Sequence, residues 1–446
     1  MHTADDLLDG FTGTIITPES PGYAQAARTA LGTAEPAIVL RPTDVADVQR
    51  AVRFAAASDR PLVVRGGGHS AAGLSTADDA IVIDLSALDT VELLAERRVR
   101  VGGGALWRQV ADALAPHGLA ISSGDTADVG VGGLTLSGGI GWMVRRHGLT
   151  LDHLRAIELV TADGEALRAD EREHADLFWA LRGGGGAYGV VTAFEFDARL
   201  APQFTFATLT FPADRADRVA QAWAHFMRTA PREISSTLVL ANPLAGGREA
   251  PIQVALARCD GGDVGDALRT LGAASTPLTE DVRVLPYPGI LHEGQELPAG
   301  LRVALRSGFV SEAESDAAVE AVVLMAAEEQ PAAITLHALG GAFGAIPAAA
   351  TAFAHRHAAL MVSTFAVAPA PAYDGLLARM ADLWRPLVPL TDGAYANSLD
   401  GSAADAVASV YPQSTRARLA KVKSLYDPAN LFSRTFAPAP APAPAR

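Results

Sequence analysis

The sequence predicts an α+β protein in two parts: an N-terminal half of short β and α elements punctuated by glycine clusters, then an antiparallel sheet covered by helices. Three observations predict it. Residues 37–200 alternate short apolar runs with glycine-rich turns. From 201 onward the glycines thin out, and period-2 strands alternate with helical stretches. Finally, 446 residues, 49% hydrophobic and 19% charged, suffice for two or three domains with a sizeable core.

The opening reads as β-α-β. AIVLRP is followed by a helix with Thr43 as N-cap and Val45, Val48, Val52 and Ala55 on one face, then by PLVVRGGG and AIVIDL. Next come ERRVRVGGGA, a helix from about Trp107 to Ala115, and a glycine-dense segment from Gly124 to Gly141. The hairpin AIELVTADGEALRA turns at Asp163-Gly164. DLFWALR reads as a short helix, and GGGGAYGVVTAFEF closes the half. Beyond it, FTFATLTF, PIQVALARC, RVALRSGFV, AAITLHALGG and ALMVSTFAVA read as strands, with helices near 213–229, 312–328 and 372–386. The Pro/Ala run at 437–446 cannot bury a core and is expected to be a disordered tail.

Composition removes several function classes. A net charge of −14 without any Lys/Arg track repels a phosphate backbone, so no nucleic-acid partner is expected. The acidic N-terminus lacks a signal-peptide pattern and no apolar run reaches the ~18 residues of a membrane span, so a soluble, cytoplasmic protein without a membrane partner is expected. The single cysteine, Cys259, excludes an intrachain disulfide framework and a cysteine-based zinc site, and reads as a small buried hydrophobe. His355 and His357, in FAHRH, would fall on opposite sides of a helix with no acid-rich partner nearby, so no metal is expected.

The glycine clusters carry the remaining signal. Gly184-x-Gly186-x-x-Gly189 has the spacing of a dinucleotide fingerprint, but its helix precedes it and its strand follows, the reverse of what that site requires. No P-loop pattern occurs. Any one glycine-rich turn is explained by tight strand packing or a positive φ. Four of them, at 66–68, 102–104, 130–141 and 183–186, favour backbone lying against a large flat ligand, with N–H groups free to bond pyrophosphate oxygens.

RGGGHS at 65–70, GDTADVGVGGLTLSGGIGWMVRRHGL at 124–149, DLFWALRGGGGAYGVVTAFEF and the late RLAKVKSLYDPANLF together resemble the berberine bridge enzyme-like oxidases of the vanillyl-alcohol oxidase superfamily, in their monocovalent bacterial form. The resemblance spans nearly the whole chain. It implies a two-part FAD-binding domain of PCMH type at 1–200 (core about 33–200), an inserted substrate-binding domain at 201–394, and a segment at 395–436 returning to the FAD domain.

By the same resemblance His69 is the covalent ligand of the flavin 8α-methyl carbon, a task suited to a neutral, nucleophilic imidazole. Arg65, Gly66, Gly67, Gly68 and Ser70 would form a pyrophosphate loop around it. Relatives with a second tether carry a cysteine where Thr126 stands, so FAD is expected to be attached at His69 only. Gly130, Val131, Gly132 and Gly133 would run along the ring system and pyrophosphate, continued by Ser137, Gly138 and Gly139. Gly189 and Val191 would cradle the adenosine half, and Asn430 would contact FAD from the returning segment, where Thr435 replaces a further asparagine. Val131 also matches the small gate residue of oxygen-using relatives.

Catalytic candidates come from the strand Ile334 to Gly341, whose alternation puts Thr335, His337 and Leu339 on one face, with His337 in place of the usual carboxylate. Tyr395 and Asn397 match the family's Y-x-N segment. The expected activity is removal of hydride from an alcohol, amine or phenolic small molecule to flavin N5, with molecular oxygen as acceptor and hydrogen peroxide as product. Alternatives on the same fold are a flavin-containing cyclase or binding protein without net redox turnover, and an electron-transfer module. Oligomeric state is not legible in the sequence.

Overall fold

In the computed structural model, residues 8–242, 246–294, 297–298, 300–328, 332–402 and 406–442 are described. The first sheet contains β1 (Thr14–Ile16), β2 (Ile38–Arg41), β3 (Leu62–Arg65) and β4 (Ile81–Asp84) in the order β1-β2-β4-β3. The last three are parallel, as the β-α-β reading requires. Helix α1 (Val45–Ala56) covers them with Val48, Ala51, Val52 and Ala55, all fully buried. Each buried valine contributes roughly 1.5–3 kcal/mol. The helix cap corrects the sequence reading: Asp44, not Thr43, accepts the N–H of Asp47. Thr43 instead donates its N–H and hydroxyl to the Asp47 carboxylate, which also receives both donors of Thr12.

A second, antiparallel sheet is built from β5 (Val91–Leu93), β6 (Arg98–Gly102), β7 (Leu154–Val160), β8 (Ala166–Asp170) and β9 (Val190–Asp197) in the order β8-β7-β9-β6-β5. Helix α2 (Trp107–Leu114) buries Trp107, Val110 and Leu114 in the core beside it. The glycine-dense stretch contains a short helix missed in the sequence, α3 (Val131–Ser137). Helix α4 (Ala175–Leu181) precedes the last glycine cluster and β9 follows it, the inverted order that excludes a dinucleotide fingerprint.

The second half forms a sheet of seven strands among the described residues, ordered β13-β10-β12-β11-β15-β16-β14 and antiparallel throughout. These are β10 (Phe204–Phe211), β11 (Ile234–Leu240), β12 (Ile252–Arg258), β13 (Thr279–Leu285), β14 (Leu301–Ser311), β15 (Ala333–Ala338) and β16 (Ala358–Pro369). Helices α5 (Ala216–Thr229), α6 (Gly265–Ala274), α7 (Ser315–Ala327) and α8 (Tyr373–Leu383) accompany it. Strands β11 and β13 and helix α6 were not read from the sequence. β13 is solvent-exposed along most of its length, and Val282-Arg283-Val284 is too short an alternation to mark it.

The chain then returns to the first half. Helix α9 (Gln413–Tyr426) packs Leu419 and Val422 into the core of the second sheet, and Phe432 joins the cluster beneath the first. Across the joint between the halves, Arg356 makes two bonds of 2.7 and 2.8 Å to Asp152, both side chains being buried. The expected disorder of the tail is not what residues 437–442 show: the Ala441 N–H bonds to the Ala420 carbonyl, placing this stretch on α9. Residues 443–446 lie outside the described residues. His355 and His357 occupy a turn before β16, not a helix; His355 Nε2 lies 2.9 Å from the Val410 carbonyl, and Asp392 is 3.4 Å from His357. Among the described residues no helix is long and apolar enough to cross a membrane.

Two buried aspartates give the fold an acid limit. Burial pushes the Asp84 carboxyl up, but Arg65, Arg41 and the Ser86 N–H more than offset this and hold it below the usual range. For Asp47, burial is likewise outweighed by the four donors of Thr12 and Thr43. A carboxylate depressed in the folded state stabilises the fold fully above its unfolded pKa of about 4, and that contribution disappears as pH falls through the folded value. Urea midpoints are therefore expected to fall below about pH 4, and less steeply in Asp84→Asn.

Candidate active site

Where the three sheets approach one another, a cavity of about 610 Å³ opens between glycine backbone on one side and the β14-β15-β16 face on the other. The glycine wall brings together Gly66, Gly67, Gly68, Gly103, Gly130, Gly132, Gly133, Gly185, Gly186 and Gly189. Gly67 and Gly130 require each other: a Cβ on either would lie 2.3 Å from the other's backbone nitrogen. The first and third clusters are thus pressed backbone to backbone. Gly133 is the opposite case, exposed on the wall with nothing within 4 Å of a Cβ, so a side chain there would fill the trough. A flat, backbone-lined trough with side chains cleared from it fits FAD.

Ser70, Thr126, Ser137, Val191 and His69 also line this cavity. The His69 ring is half-buried, and its Cε1 lies 3.0 Å from where a Cβ on Gly294 would stand. Burial holds the imidazole below its usual range, with partial opposition from the Asp128 carboxylate. Asp128, in turn, is fixed by Arg108 at 2.7 Å and by the Gly294 N–H at 2.8 Å. His69 is consequently neutral at pH 7, as a nucleophile must be.

Five predicted FAD contacts do not reach the cavity wall. The Arg65 guanidinium is buried and turned to Asp84 at 3.1 Å and the Arg28 carbonyl at 3.4 Å, because a buried cation needs its partner. Val131 faces the core from α3 and donates its N–H to the Ala105 carbonyl. Gly138 and Gly139 lie behind the wall, where Gly139 donates its N–H to the Tyr395 hydroxyl at 2.9 Å. Asn430 sits in a left-handed turn at φ 58°, a conformation asparagine tolerates. Thr435 does line the cavity, together with Phe432, Arg434 and Phe436.

His337, Tyr395 and Asn397 come together on the opposite side. The Tyr395 oxygen accepts from Gly139 N–H and from Asn397 Nδ2, both at 2.9 Å. Its backbone N–H is pinned to Ser307 Oγ at 3.0 Å. Burial pushes the phenol up, while the Asn397 amide and the Gly139 and Ile140 N–H groups counter only part of this. Tyr395 therefore keeps its proton at pH 7 and, with its acceptor sites used, has that proton to donate. His337 pairs across the sheet with Thr237 and Met361. Burial draws its imidazole below the usual range, against the Asp125 carboxylate, leaving a neutral ring that can accept a proton.

The predicted strand face is corrected in part. Thr335 does not line the cavity, and Leu339 lies beyond the end of β15, buried in the core. The apolar lining comes instead from Leu305 of β14 and Met361 and Phe365 of β16. Asp125 was also missed; its signal was an acid within the glycine-dense segment, one residue before Thr126. Cys259 is buried with Trp142 and Phe204, and burial raises its thiol to about 12.

Residues 36–170 match the model of an FAD binding domain. An FAD-linked oxidoreductase of Bacillus subtilis (strain 168), YgaK, is 28% identical over 437 residues, covering 94% of this chain and 95% of that protein. BBE-like 1 of Physcomitrella patens superimposes with a TM-score of 0.85 at 21% identity, over 99% of this chain and 100% of that one. Glucooligosaccharide oxidase of Acremonium strictum, described with a 6-S-cysteinyl, 8α-N1-histidyl FAD, gives a TM-score of 0.86 at 23% identity, with coverage of 99% and 100%. The chain is an FAD-linked oxidoreductase, with an FAD binding domain at residues 36–170 and the fold of the berberine bridge enzyme-like oxidases.

Proposed function

We propose that this protein is an oxidase covalently flavinylated through His69 alone, taking hydride from an alcohol, amine or phenolic small molecule and passing the electrons to oxygen as hydrogen peroxide. One observation carries the reading: His69 and the trio His337, Tyr395 and Asn397 line the same cavity. Gly66 to Gly68, Ser70, Thr126, Gly130, Gly132, Gly133, Ser137, Gly189 and Val191 would hold FAD, which supplies a two-electron acceptor. The single tether follows from Thr126, where a cysteine would be needed, and from the burial of Cys259 away from the cavity.

His337 is the base for the substrate O–H or N–H. Tyr395 donates a hydrogen bond to the reacting oxygen or nitrogen, and Asn397 orients the phenol. Leu305, Met361 and Phe365 favour an apolar substrate body and exclude water from it. Mixing the holoenzyme anaerobically with alcohols, amines and phenols is expected to bleach the flavin with at least one class. Saturable binding without bleaching would instead favour a cyclase or binding role. Tyr395→Phe is expected to slow flavin reduction about 100-fold, measured by stopped-flow absorbance.

A further inference from the structure

We infer that Asp125 and His337 act as a pair around one ordered buried water, Asp125 holding the His337 ring and balancing its charge when it receives the substrate proton. The inference rests on the oxidase reading and adds a positioning residue and a proton acceptor to it.

Behind His337 lies a second chamber, of about 20 Å³. Asp125 and His337 line both this chamber and the main cavity, so they form the partition between them. Two of the other polar groups on the chamber wall are unusual. Ser235 Oγ and Trp142 Nε1 are buried without a hydrogen-bond partner among the described residues, each residue being 3% exposed. Leaving such groups unpaired costs about 1–3 kcal/mol each. A space of this size holds one water, and a buried water needs two to four polar partners. Trp142 supplies a donor, Asp125 an acceptor, and the Ser235 hydroxyl and the His337 ring can serve as either.

The surrounding backbone fixes this arrangement. Ser235 and Thr237 share one face of β11, and Thr237 is in register with His337 of β15. The Asp125 loop is clamped from the substrate side: its carbonyl accepts the His292 N–H at 2.8 Å, and the Ala127 N–H donates to the His292 carbonyl at 2.8 Å. The Thr126 hydroxyl donates to Asp125 Oδ1 at 3.0 Å, which leaves Oδ2 for the ring or the water. Asp125 is the charged group acting on His337, and Tyr395, which keeps its proton, shares the cavity.

FAD, when bound, would accept the substrate C–H hydrogen with both bonding electrons; the part that falls to this chain is the O–H or N–H bond, whose proton passes to the imidazole. The resulting imidazolium shares the partition with the Asp125 side chain. The ring then hands its proton to the chamber water, so of the two hydrogens the substrate loses, one would go to the cofactor with two electrons and the other is given up as a proton.

The test uses holoenzyme with labelled histidine, His337 being assigned by its loss in His337→Gln. Removing the anion disfavours the protonated ring, so in Asp125→Asn the His337 titration is expected to move down by about one pH unit. The acid limb of anaerobic flavin reduction should move with it. A crystal structure of the wild type should show water bonded to Ser235 Oγ and Trp142 Nε1, and Ser235→Val should displace it. An unchanged His337 titration in Asp125→Asn, or a dry chamber, overturns the pair. Wild-type protein that no substrate bleaches, with the His337 titration still shifted in Asp125→Asn, overturns the oxidase reading while the pair and its water stand.

Discussion

Replacing His69 with alanine is expected to move the yellow colour from pellet to supernatant when the holoenzyme is precipitated with acid. In the wild type the flavin should stay with the polypeptide and fluoresce in a denaturing gel. The expectation follows from chemistry at one position. His69 ends the loop pressed against Gly130, is half-buried, and is kept neutral by burial despite the nearby Asp128 carboxylate. No second nucleophile backs it up: Thr126 is a weaker nucleophile than a thiolate, and the Cys259 thiol is buried elsewhere and protonated. The effect is all-or-none, and pellet-bound colour in His69→Ala would refute the assignment.

Asp427→Ala should cost about 3–5 kcal/mol of stability, since it strands a buried ammonium. Lys423 and Asp427 are both almost completely buried and meet at 2.5 Å. Lys423 Nζ also donates to the carbonyls of Ala187 at 2.7 Å and Phe432 at 3.0 Å, while Asp427 accepts the N–H groups of Leu431 and Phe432, both at 2.8 Å. One charge pair therefore ties the fourth glycine cluster to the returning segment, both of which supply cavity wall. Urea unfolding of holoenzyme should show the loss, accompanied by poorer flavin incorporation. The apolar double variant Lys423→Met with Asp427→Leu should recover much of the stability, because neither charge is then left alone.

Much of this architecture was legible because local signals carried it. The β-α-β opening follows from apolar runs separated by a helix with one apolar face, and the inverted order around Gly184 excluded the wrong dinucleotide site. The cavity was legible as glycine clusters, but the reasons for individual glycines were not. Gly67 is needed because Gly130 packs on it, whereas Gly133 leaves the trough open, and a sequence cannot distinguish these two uses.

Contacts between distant segments were the least legible part. Arg65 was legible as the start of the glycine loop, but its buried pairing with Asp84, in register beside it on the adjacent strand, was not. Leu305 and Phe365 face each other across β14 and β16, and that register is set by the whole sheet. Asp125 and His337 line the same cavity only because a glycine-rich loop and a strand some two hundred residues later share a wall.

The wall contributed by Phe432, Arg434, Thr435 and Phe436 also sets an order of events during synthesis. A growing chain folds from its N-terminal side, so the RGGGHS loop emerges long before these residues exist. Until then the trough lacks one side, and the Lys423 ammonium that will anchor it has not been made. FAD is therefore expected to be held firmly only by a nearly finished polypeptide, and chains truncated upstream of Lys423 are expected to bind it poorly.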